Sequence, residues 1–412
     1  MKNKKASVTP VLLGGDLNAY SMAMSFANAY GVPSYVFSRS RLAITDSSSY
    51  IRLKVVNGLD GCDSAVEALT DFAKEHSGEN LILVPCADWY MEMLEYARDV
   101  LRGYYFFNIP SFEVWRTTSD KASFMRMLDK YGIEHPKTEI YDENTESFAA
   151  RARKLRPPFV IKPSDSSEYW RHPFKGMKKV YFADTLAEAE DIYERILRSG
   201  YGGKVLLQEY IGHNSGAKEP SASVLTAYSG ADGRVRSAVM GDVLLEELSP
   251  SGRGNYSAIV TRPLDSIAKK LIGMLDSIGY TGIANFDILR ADGKSYCLEL
   301  NPRQGRSFDY VRSAGVNLAE ALTQEMEGGS LGSRFVYPEG VWRCVSRRTV
   351  KRYARDKGLA DKAERLEREG RCFTPYDYRS EEGFRRKIYV AAHLYRQSKM
   401  YKRYGKEAPT CY

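Results

Sequence analysis

Two acidic residues in the second half of the chain have types and spacing that suit metal and phosphate chemistry. They lie in residues 281–307, TGIANFDILRADGKSYCLELNPRQGRS. This segment predicts one strand at about 282–289, carrying Asp287, and a second at about 296–300, carrying Glu299. An Asp-Gly pair between the two strands is a strong hairpin signal. The hairpin would therefore bring the two carboxylates onto neighbouring strands.

A pair of carboxylates in this setting needs a positive partner. Glu299 stands between apolar neighbours, where an ionised carboxylate is costly unless it is paired or bound to a metal. With the amide oxygen of Asn301, the two carboxylates form an all-oxygen cluster that suits Mg²⁺, whose remaining ligands are usually waters and phosphates. The planar guanidinium of Arg303 could donate parallel hydrogen bonds to an anion held there. The alternative is an exposed hairpin with solvated charges, and this stretch alone does not decide between them.

A lysine at the end of an apolar run is the second candidate for phosphate chemistry. Lys162 follows Phe-Val-Ile in RPPFVIKPSDSS, which predicts a buried strand leading into a Ser-rich loop able to wrap phosphates. A partly buried ammonium group favours an anionic partner. The alternative is a side chain that simply reaches solvent.

The N-terminal elements would place polar residues at one edge of a sheet. The segment PVLLGGDLNAYSMAMSFANAYGVPSYVFS predicts a strand, a helix and a second strand. A further strand is predicted at 81–84. Its glycines lack the G-x-G-x-x-G spacing of a dinucleotide fingerprint. Asp16, Asn18 and Asp88 come just after predicted strands, where open α/β sheets bind ligands. Turn formation explains each of these residues equally well.

Composition is that of an ordinary globular protein. The 412 residues are 43 % hydrophobic and 27 % charged, and they are enough for two or three domains. No apolar run is long enough to span a membrane, and the apolar stretch at 11–13 is too short for a signal peptide. The six cysteines have neither metal-ligand spacing nor disulfide-scaffold density, which favours a cytoplasmic protein with reduced thiols.

Positive charge is concentrated at the C-terminal end. Residues 341–412 hold 20 Lys and Arg against 9 Asp and Glu, whereas the whole chain has a net charge of only +8. Within this segment, RRKIYVAAHLYRQSKMYKRYGK alternates basic and aromatic residues, partly at helical spacing. A basic, aromatic helix is compatible with binding to a nucleic acid or to an anionic membrane surface. A solvated helical surface is the simpler interpretation.

An ordered set of motifs resembles the ATP-grasp superfamily of carboxylate–amine ligases. DKASF, FVIKP, LLQEYIG, GYTGIANFDI and LELNPRQGRS occur in this order over residues 119–307. Near the N-terminus, PVLLGGDLNAYSMAMSFANAYG and LILVPCADWY are similar to the D-aspartate ligase group, which extends the resemblance over most of 8–320. It implies α/β and α+β architecture, an ATP-grasp fold preceded by a Rossmann-like domain. The implied domains are the Rossmann-like 1–115, the small ATP-grasp lobe 116–210, the large lobe 211–330, and a basic helical segment 331–412.

The resemblance also implies roles for individual residues, with ATP and Mg²⁺ as cofactors. Lys121 and Lys162 would hold the ATP phosphates, and Arg303 would stabilise the acyl phosphate and the tetrahedral intermediate. Further contacts with the nucleotide would come from Gln208, Glu209, Tyr210, Ile211 and Glu219. The metal ligands would be Asp287, Glu299 and Asn301. Arg253 would act catalytically from a Gly/Ser-rich flap that excludes water. Candidate substrate contacts are Asp16, Asn18, Asp88 and Arg306.

The implied reaction is amide formation through an acyl phosphate, since phosphoryl transfer from ATP gives a carboxylate a leaving group. In the D-aspartate ligase group the side-chain carboxylate of D-aspartate is joined to the lysine ε-amine of a UDP-MurNAc-peptide, a precursor of peptidoglycan in the cell wall. Another amino-acid and amine pair, as in dipeptide synthesis, is one alternative. A polyanion- or membrane-binding module and an ATP-binding protein without catalysis are others, and the intact set of site residues argues against the last. We expect no nucleic-acid partner. Peripheral association with the inner membrane face is compatible with the sequence. The sequence does not indicate an oligomeric state.

Overall fold

The computed structural model describes residues 8–142, 147–212, 220–248, 252, 254–329, 331–376, 381 and 383–405. The strands are, in chain order, β1 (Thr9–Leu13), β2 (Ser34–Ser38), β3 (Ile51–Val55), β4 (Leu81–Pro85), β5 (Thr138–Tyr141), β6 (Phe159–Pro163), β7 (Tyr181–Ala183), β8 (Val205–Glu209), β9 (Ser221–Ser229), β10 (Val235–Glu246), β11 (Tyr256–Arg262), β12 (Gly282–Ala291), β13 (Lys294–Asn301), β14 (Val341–Arg343) and β15 (Cys372–Phe373).

The helices lie between and after these strands. They are α1 (Leu17–Tyr30), α2 (Ala43–Asp46), α3 (Cys62–Glu75), α4 (Asp88–Tyr96), α5 (Arg98–Arg102), α6 (Phe112–Ser119), α7 (Lys121–Lys130), α8 (Phe148–Ala152), α9 (Ser166–Trp170), α10 (Leu186–Arg198), α11 (Ser266–Ser277), α12 (Leu318–Met326), α13 (Arg347–Tyr353), α14 (Lys357–Arg368) and α15 (Phe384–Tyr404). A 3₁₀ helix occupies Phe308–Ala314. Among the described residues, no helix combines the length and apolar character needed to cross a bilayer.

The N-terminal sheet is parallel, with the strand order β3-β2-β1-β4. β1, β2 and β4 are almost wholly buried, as is typical of parallel strands covered by helices, whereas only Ile51 is buried in the edge strand β3. Helix α1 begins at the N-cap Asp16, whose side chain accepts a hydrogen bond from the backbone of Asn18, and ends at Gly31 in the left-handed conformation. The predicted Rossmann-like domain is confirmed.

A smaller antiparallel sheet, in the order β5-β8-β6-β7, packs against α8 and α10. Lys162 lies on β6, directly after its buried apolar residues, as the sequence predicted. The segment after β6 differs from the predicted Ser-rich loop. It contains the short helix α9, which forms because Asp165 caps its first turn by accepting a hydrogen bond from the backbone of Glu168.

The large sheet has the order β13-β12-β9-β10-β11-β14-β15. Its last two strands come from the C-terminal segment, which the sequence predicted to be helical only. Because β14 and β15 are three and two residues long, their own periodicity is too short to predict. They are strands because β14 pairs with β11 and β15 pairs with β14. The domain boundaries remain a prediction, although the one at residue 115 falls inside α6.

The two faces of the large sheet have different partners. One face packs on α7 and α11, with Phe124 and Phe286 in the same apolar cluster. The other face shares a continuous core with α1, the 3₁₀ helix and α12. Gly282 opens β12 with φ of +85°, and a Cβ there would lie 2.4 Å from the carbonyl oxygen of Asn108. Only glycine permits this approach between the hairpin and the segment after the N-terminal sheet.

Candidate active site

The hairpin of β12 and β13 places its polar side chains on one face. Asp287 lies directly opposite Glu299, and Asn285 lies opposite Asn301 two residues further along. Residues directly opposite each other in an antiparallel pair project to the same side. A register irregularity follows immediately after Asp287, where one extra residue enters β13. Bulges of this kind redirect side chains and are frequent beside functional sites. The predicted pairing of the two carboxylates is therefore present.

The two carboxylates have opposite electrostatic environments. Lys179 lies with its Nζ 3.6 Å from Oε1 of Glu299, and this positive charge holds the pKa of Glu299 well below its usual range. Burial and the adjacent charge of Glu299 raise the pKa of Asp287. The Oδ1 atom of Asp287 accepts a hydrogen bond of 2.9 Å from the hydroxyl of Tyr256. A buried carboxylate with a raised pKa beside an ionised one marks a place where a cation would be stabilised.

Two further lysines surround the same carboxylate. Lys121 and Lys162 both contribute to lowering the pKa of Glu299. Burial lowers the pKa of Lys162 to about 8 and also lowers that of Lys121, while Glu299 opposes both effects. Lys121 begins α7, whose N-cap Asp120 accepts a hydrogen bond from the hydroxyl of Ser164, just after β6. The helix and the strand are thus joined at the point where the two lysines approach the site.

The residues present fit a divalent metal ion. Asp287 and Glu299 supply oxygen ligands, and the Asn301 amide lies 3.4 Å from Oδ2 of Asp287. A metal at this position would neutralise the repulsion that raises the pKa of Asp287. Among the described residues, no group of three or more His, Cys, Asp or Glu side chains has a metal-binding arrangement. With two carboxylates and one amide, the site resembles the Mg²⁺ sites that waters and phosphate oxygens complete.

Arg303, just past the hairpin, forms a two-point ion pair with Asp88. Its Nε and Nη2 atoms lie 2.7 and 2.8 Å from the two carboxylate oxygens. Burial alone would raise the pKa of Asp88, but the guanidinium lowers it below its usual value. Asp88 begins α4 at the C-terminal edge of the N-terminal sheet. Arg303, predicted to be catalytic, and Asp88, a predicted substrate contact, are thus partners of each other.

The remaining N-terminal candidates lie at the same edge. Asn18 is buried, and its amide donates hydrogen bonds to the carbonyl oxygens of Cys86 and Gln304 at 3.1 and 3.0 Å. It joins the end of β4 to the segment after the hairpin. Asp16 is exposed and adds negative charge near Arg303 and Arg306. Of the two, Asp16 is therefore the one that a substrate can reach.

Arg306 contacts the predicted flap at its base. Its Nη1 lies 2.7 Å from Oε2 of Glu247, which follows β10. The backbone of Glu247 in turn donates a hydrogen bond to the carbonyl oxygen of Asn255 at 2.8 Å, closing the loop. Arg253 itself lies outside the described residues, as does the predicted ribose contact Glu219. Their roles remain predictions.

The predicted hinge follows the small sheet. Gln208 and Glu209 end β8, and Tyr210 donates a backbone hydrogen bond of 3.0 Å to the carbonyl oxygen of Pro158. The Gln208 amide donates to the hydroxyl of Thr138 at 3.0 Å. Ile211 comes next, and the large sheet begins at Ser221. These residues therefore connect the two sheets, and their contact with adenine remains a prediction.

Sequence reasoning missed Lys179 and Tyr256. Lys179 precedes β7 in the text KGMKKVYF, where a glycine and two lysines stand between paired strands, a pattern that could have suggested a phosphate-binding turn. Tyr256 begins β11 and reaches Asp287 across the sheet, 31 residues away along the chain. No local pattern marks a tyrosine of this kind.

Comparison with solved structures defines the fold class. The biotin carboxylase domain of the 2-oxoglutarate carboxylase of Hydrogenobacter thermophilus, solved with MgADP and bicarbonate, is similar with a TM-score of 0.61 and 16 % identity over 81 % of this chain and 73 % of that one. The N5-carboxyaminoimidazole synthetase of Staphylococcus aureus, solved with ADP, has a TM-score of 0.59 and 13 % identity over 88 % of both chains. The chain has the ATP-grasp fold, as predicted.

Comparison of sequences identifies individual enzymes that are similar to this chain. D-aspartate ligase of Enterococcus faecium is 29 % identical over 409 residues, covering 96 % of each chain. The carbamoyl phosphate synthase large chain of Halomonas eurihalina is 24 % identical over 52 % of this chain but only 19 % of its own length. No family model matches the chain. The predicted resemblance and the predicted enzyme class, an ATP-dependent carboxylate–amine ligase, are confirmed.

Proposed function

We propose that this enzyme uses ATP and Mg²⁺ to join the side-chain carboxylate of D-aspartate to the lysine ε-amine of a UDP-MurNAc-peptide in the cytoplasm. The observation that carries the phosphoryl-transfer step is the group of lysines around the paired carboxylates Asp287 and Glu299. The choice of substrates rests on the similarity to D-aspartate ligase over 96 % of both chains. The peptide product would serve peptidoglycan synthesis.

The charges of the site match the demands of phosphoryl transfer. Lys121, Lys162 and Lys179 would face the phosphates of ATP, whose transfer needs positioning and neutralisation of negative charge. Mg²⁺ held by Asp287 and Glu299 would supply further neutralisation between the phosphate oxygens. Each lysine now compensates Glu299, so the phosphates would enter a site that already holds positive charge in place.

The substrates would meet at the edge where the N-terminal sheet faces the hairpin. Arg303 offers its guanidinium there, already aligned by Asp88. A guanidinium so fixed can stabilise the negative oxygen of the acyl phosphate and of the tetrahedral intermediate without reorganising. Asp16 is exposed at the same edge and would attract the attacking amine. The amine then displaces phosphate, forming the amide bond and releasing one proton.

The test is ADP release from Mg²⁺-ATP across a panel of D- and L-amino acids, with and without the UDP-MurNAc-pentapeptide. We expect turnover only with D-aspartate and the peptide together, with an amide product confirmed by mass spectrometry. The Asp287→Asn variant provides the matched control, because it keeps the shape of the site and removes one metal ligand. Phosphate release that depends on neither the amino acid nor the amine would overturn the proposal.

The same panel distinguishes the other ligase candidates. Turnover with a different amino acid, or with a free amino acid as the acceptor, would keep the enzyme class and replace the substrates proposed here. Such an outcome would favour the dipeptide alternative. Nothing in the described part of the chain favours a non-catalytic ATP-binding role over the ligase.

A further inference from the structure

The C-terminal helix α15 carries an apolar ridge that faces away from the protein. Phe384, Ile388 and Tyr395 are 78 %, 53 % and 60 % exposed, and Ala391 is exposed between them. At 3.6 residues per turn these four positions fall within an arc of about 60° along roughly 16 Å of helix. Single exposed apolar residues need no explanation, but an aligned ridge on one helix indicates an interaction surface.

Basic side chains flank the ridge. Between residues 384 and 404 there are seven Lys and Arg and no Asp or Glu. Six of the seven are exposed: Arg385, Lys387, Arg396, Lys399, Lys402 and Arg403. The Nζ atom of Lys399 lies 4.8 Å from the ring centre of Tyr395, so the charge and the ridge are directly adjacent. The surface is both apolar and strongly positive.

The opposite face of α15 is firmly attached to the rest of the protein. Arg386 is buried, pairs with Glu381 at 3.1 Å and donates to the carbonyl oxygen of Ile44 at 2.8 Å. Near the other end, the Tyr401 hydroxyl donates to the carbonyl oxygen of Glu246 at 2.6 Å. These contacts fix the rotation of the helix about its axis. The ridge therefore cannot turn inward without breaking buried polar contacts.

We propose that α15 is a docking surface for an anionic lipid membrane, on which the helix lies parallel to the bilayer. An apolar ridge flanked by Lys and Arg is the pattern of an interfacial helix, which buries its apolar side chains at the headgroup boundary. Negative headgroups complement the six exposed positive charges. An RNA partner would use the charges but leave Phe384 and Ile388 without a role, and a second copy of this helix would repel the first.

The experiment measures flotation of the full-length protein with phosphatidylcholine vesicles, with and without phosphatidylglycerol. We expect binding only to the anionic vesicles, weakening as salt rises. The ridge variant Phe384→Ser/Ile388→Ser should lose at least about tenfold in partitioning, because its apolar anchors are gone. The charge variant Arg385→Gln/Arg396→Gln/Lys399→Gln should lose about fivefold for each charge removed.

Matched controls change the same chemistry elsewhere on the surface. Val336→Ser/Val100→Ser removes two exposed apolar side chains, and Lys130→Gln/Arg198→Gln/Lys269→Gln removes three exposed charges; both should bind vesicles like the unchanged protein. A Tyr395→Trp variant should show fluorescence quenched by brominated lipids if the ridge enters the bilayer. Thermal melting checks that every variant is folded.

Three results would overturn the proposal. The first is equal binding of the ridge variant and the unchanged protein to anionic vesicles, which would mean that charge alone acts. The second is an RNA oligonucleotide that outcompetes the vesicles. The third is no vesicle binding together with a dimer in sedimentation that the ridge variant abolishes, which would identify the ridge as a contact between two copies.

Discussion

The guanidinium of Arg303 and the carboxylate of Asp88 face each other through two hydrogen bonds of 2.7 and 2.8 Å, although 215 residues separate them. The pair joins the C-terminal edge of the N-terminal sheet to the segment that follows the hairpin of β12 and β13. It aligns the arginine before any substrate binds. An anionic group that binds Arg303 must share the guanidinium with Asp88 or displace it, so the pair would couple the binding of such a group to the N-terminal sheet.

The planar fork of Arg303 should be essential to the chemical step. Arg303→Lys keeps the positive charge but loses the two parallel donors, so we expect kcat to fall by a factor on the order of 10² while the dissociation constant of ATP stays within about threefold. Steady-state kinetics and nucleotide titration measure the two effects. Arg198→Lys, at an exposed site, is the control. If Arg303→Lys weakens ATP binding and leaves kcat unchanged, the arginine acts in nucleotide binding instead.

Nucleotide binding should take up a proton at alkaline pH through Lys162. Its pKa of about 8 in the free protein means that the ammonium form is lost as pH rises above that value. Bound phosphates favour the charged lysine, so affinity for Mg²⁺-ADP should fall by up to about tenfold per pH unit above pH 8. Calorimetry in buffers of different ionisation enthalpy measures the uptake.

The control for this titration is Lys162→Arg, which remains charged at every pH tested. It should bind the nucleotide without proton uptake, whereas Lys162→Met should bind weakly at all pH values. Proton uptake that persists in the arginine variant would assign the titration to another group.

The two carboxylates of the hairpin should respond oppositely to neutral substitution. In metal-free protein at neutral pH, Asp287→Asn should increase the free energy of unfolding by on the order of 1–2 kcal/mol, because burial and Glu299 disfavour its charge. Glu299→Gln should decrease it by a similar amount, since its charge is favoured by Lys179. Urea unfolding with a chelator measures both. Equal destabilisation by the two changes would contradict this assignment.

The pH dependence follows the same logic. A pKa that is higher in the folded state makes stability fall as pH rises, so the Asp287 effect extends from about pH 4 into the neutral range. Glu299 has a lowered pKa, so its contribution is lost as pH falls below about 4. Asp287→Asn should therefore flatten the stability profile above pH 4 only. Both variants should lose the stabilisation that Mg²⁺-ADP gives the unchanged enzyme.

The buried pair of Arg386 and Glu381 should hold the C-terminal helix in place. Arg386→Met leaves Glu381 buried without its partner and should cost about 3 kcal/mol in urea unfolding. It also removes the contact between the guanidinium and the ring of Tyr20, whose centre lies 4.3 Å away. Arg385→Met, on the exposed side of the same helix, should change stability by less than about 0.5 kcal/mol. Equal effects would show that Arg386 is not the anchor.

The hairpin that carries Asp287 and Glu299 could be predicted because its signals are local. The Asp-Gly turn and the apolar strands on either side are enough to pair Asp287 with Glu299. The helix N-caps Asp120 and Asp265 are likewise local, and each caps its helix through a backbone hydrogen bond three residues ahead. The position of Lys162 at the end of a buried strand depends on one short run of apolar residues.

The residues that contact this site from distant parts of the chain could not be predicted from local sequence patterns. Lys179 reaches Glu299 across 120 positions, and Arg303 reaches Asp88 across 215, because separate sheets bring them together. Neither contact produces a hydrophobic periodicity or a turn motif in the amino-acid sequence.

The amino-acid sequence by itself determined the fold class, the hairpin that carries the carboxylates, and the resemblance to ATP-grasp ligases. Those features depend on residues close together in the chain, whose spacing reflects the backbone directly. Only the tertiary structure decided that three lysines surround Glu299, that β14 and β15 extend the large sheet, and that Arg386 anchors α15. These features arise from packing between distant segments, where burial and charge pairing, not local periodicity, select the contact.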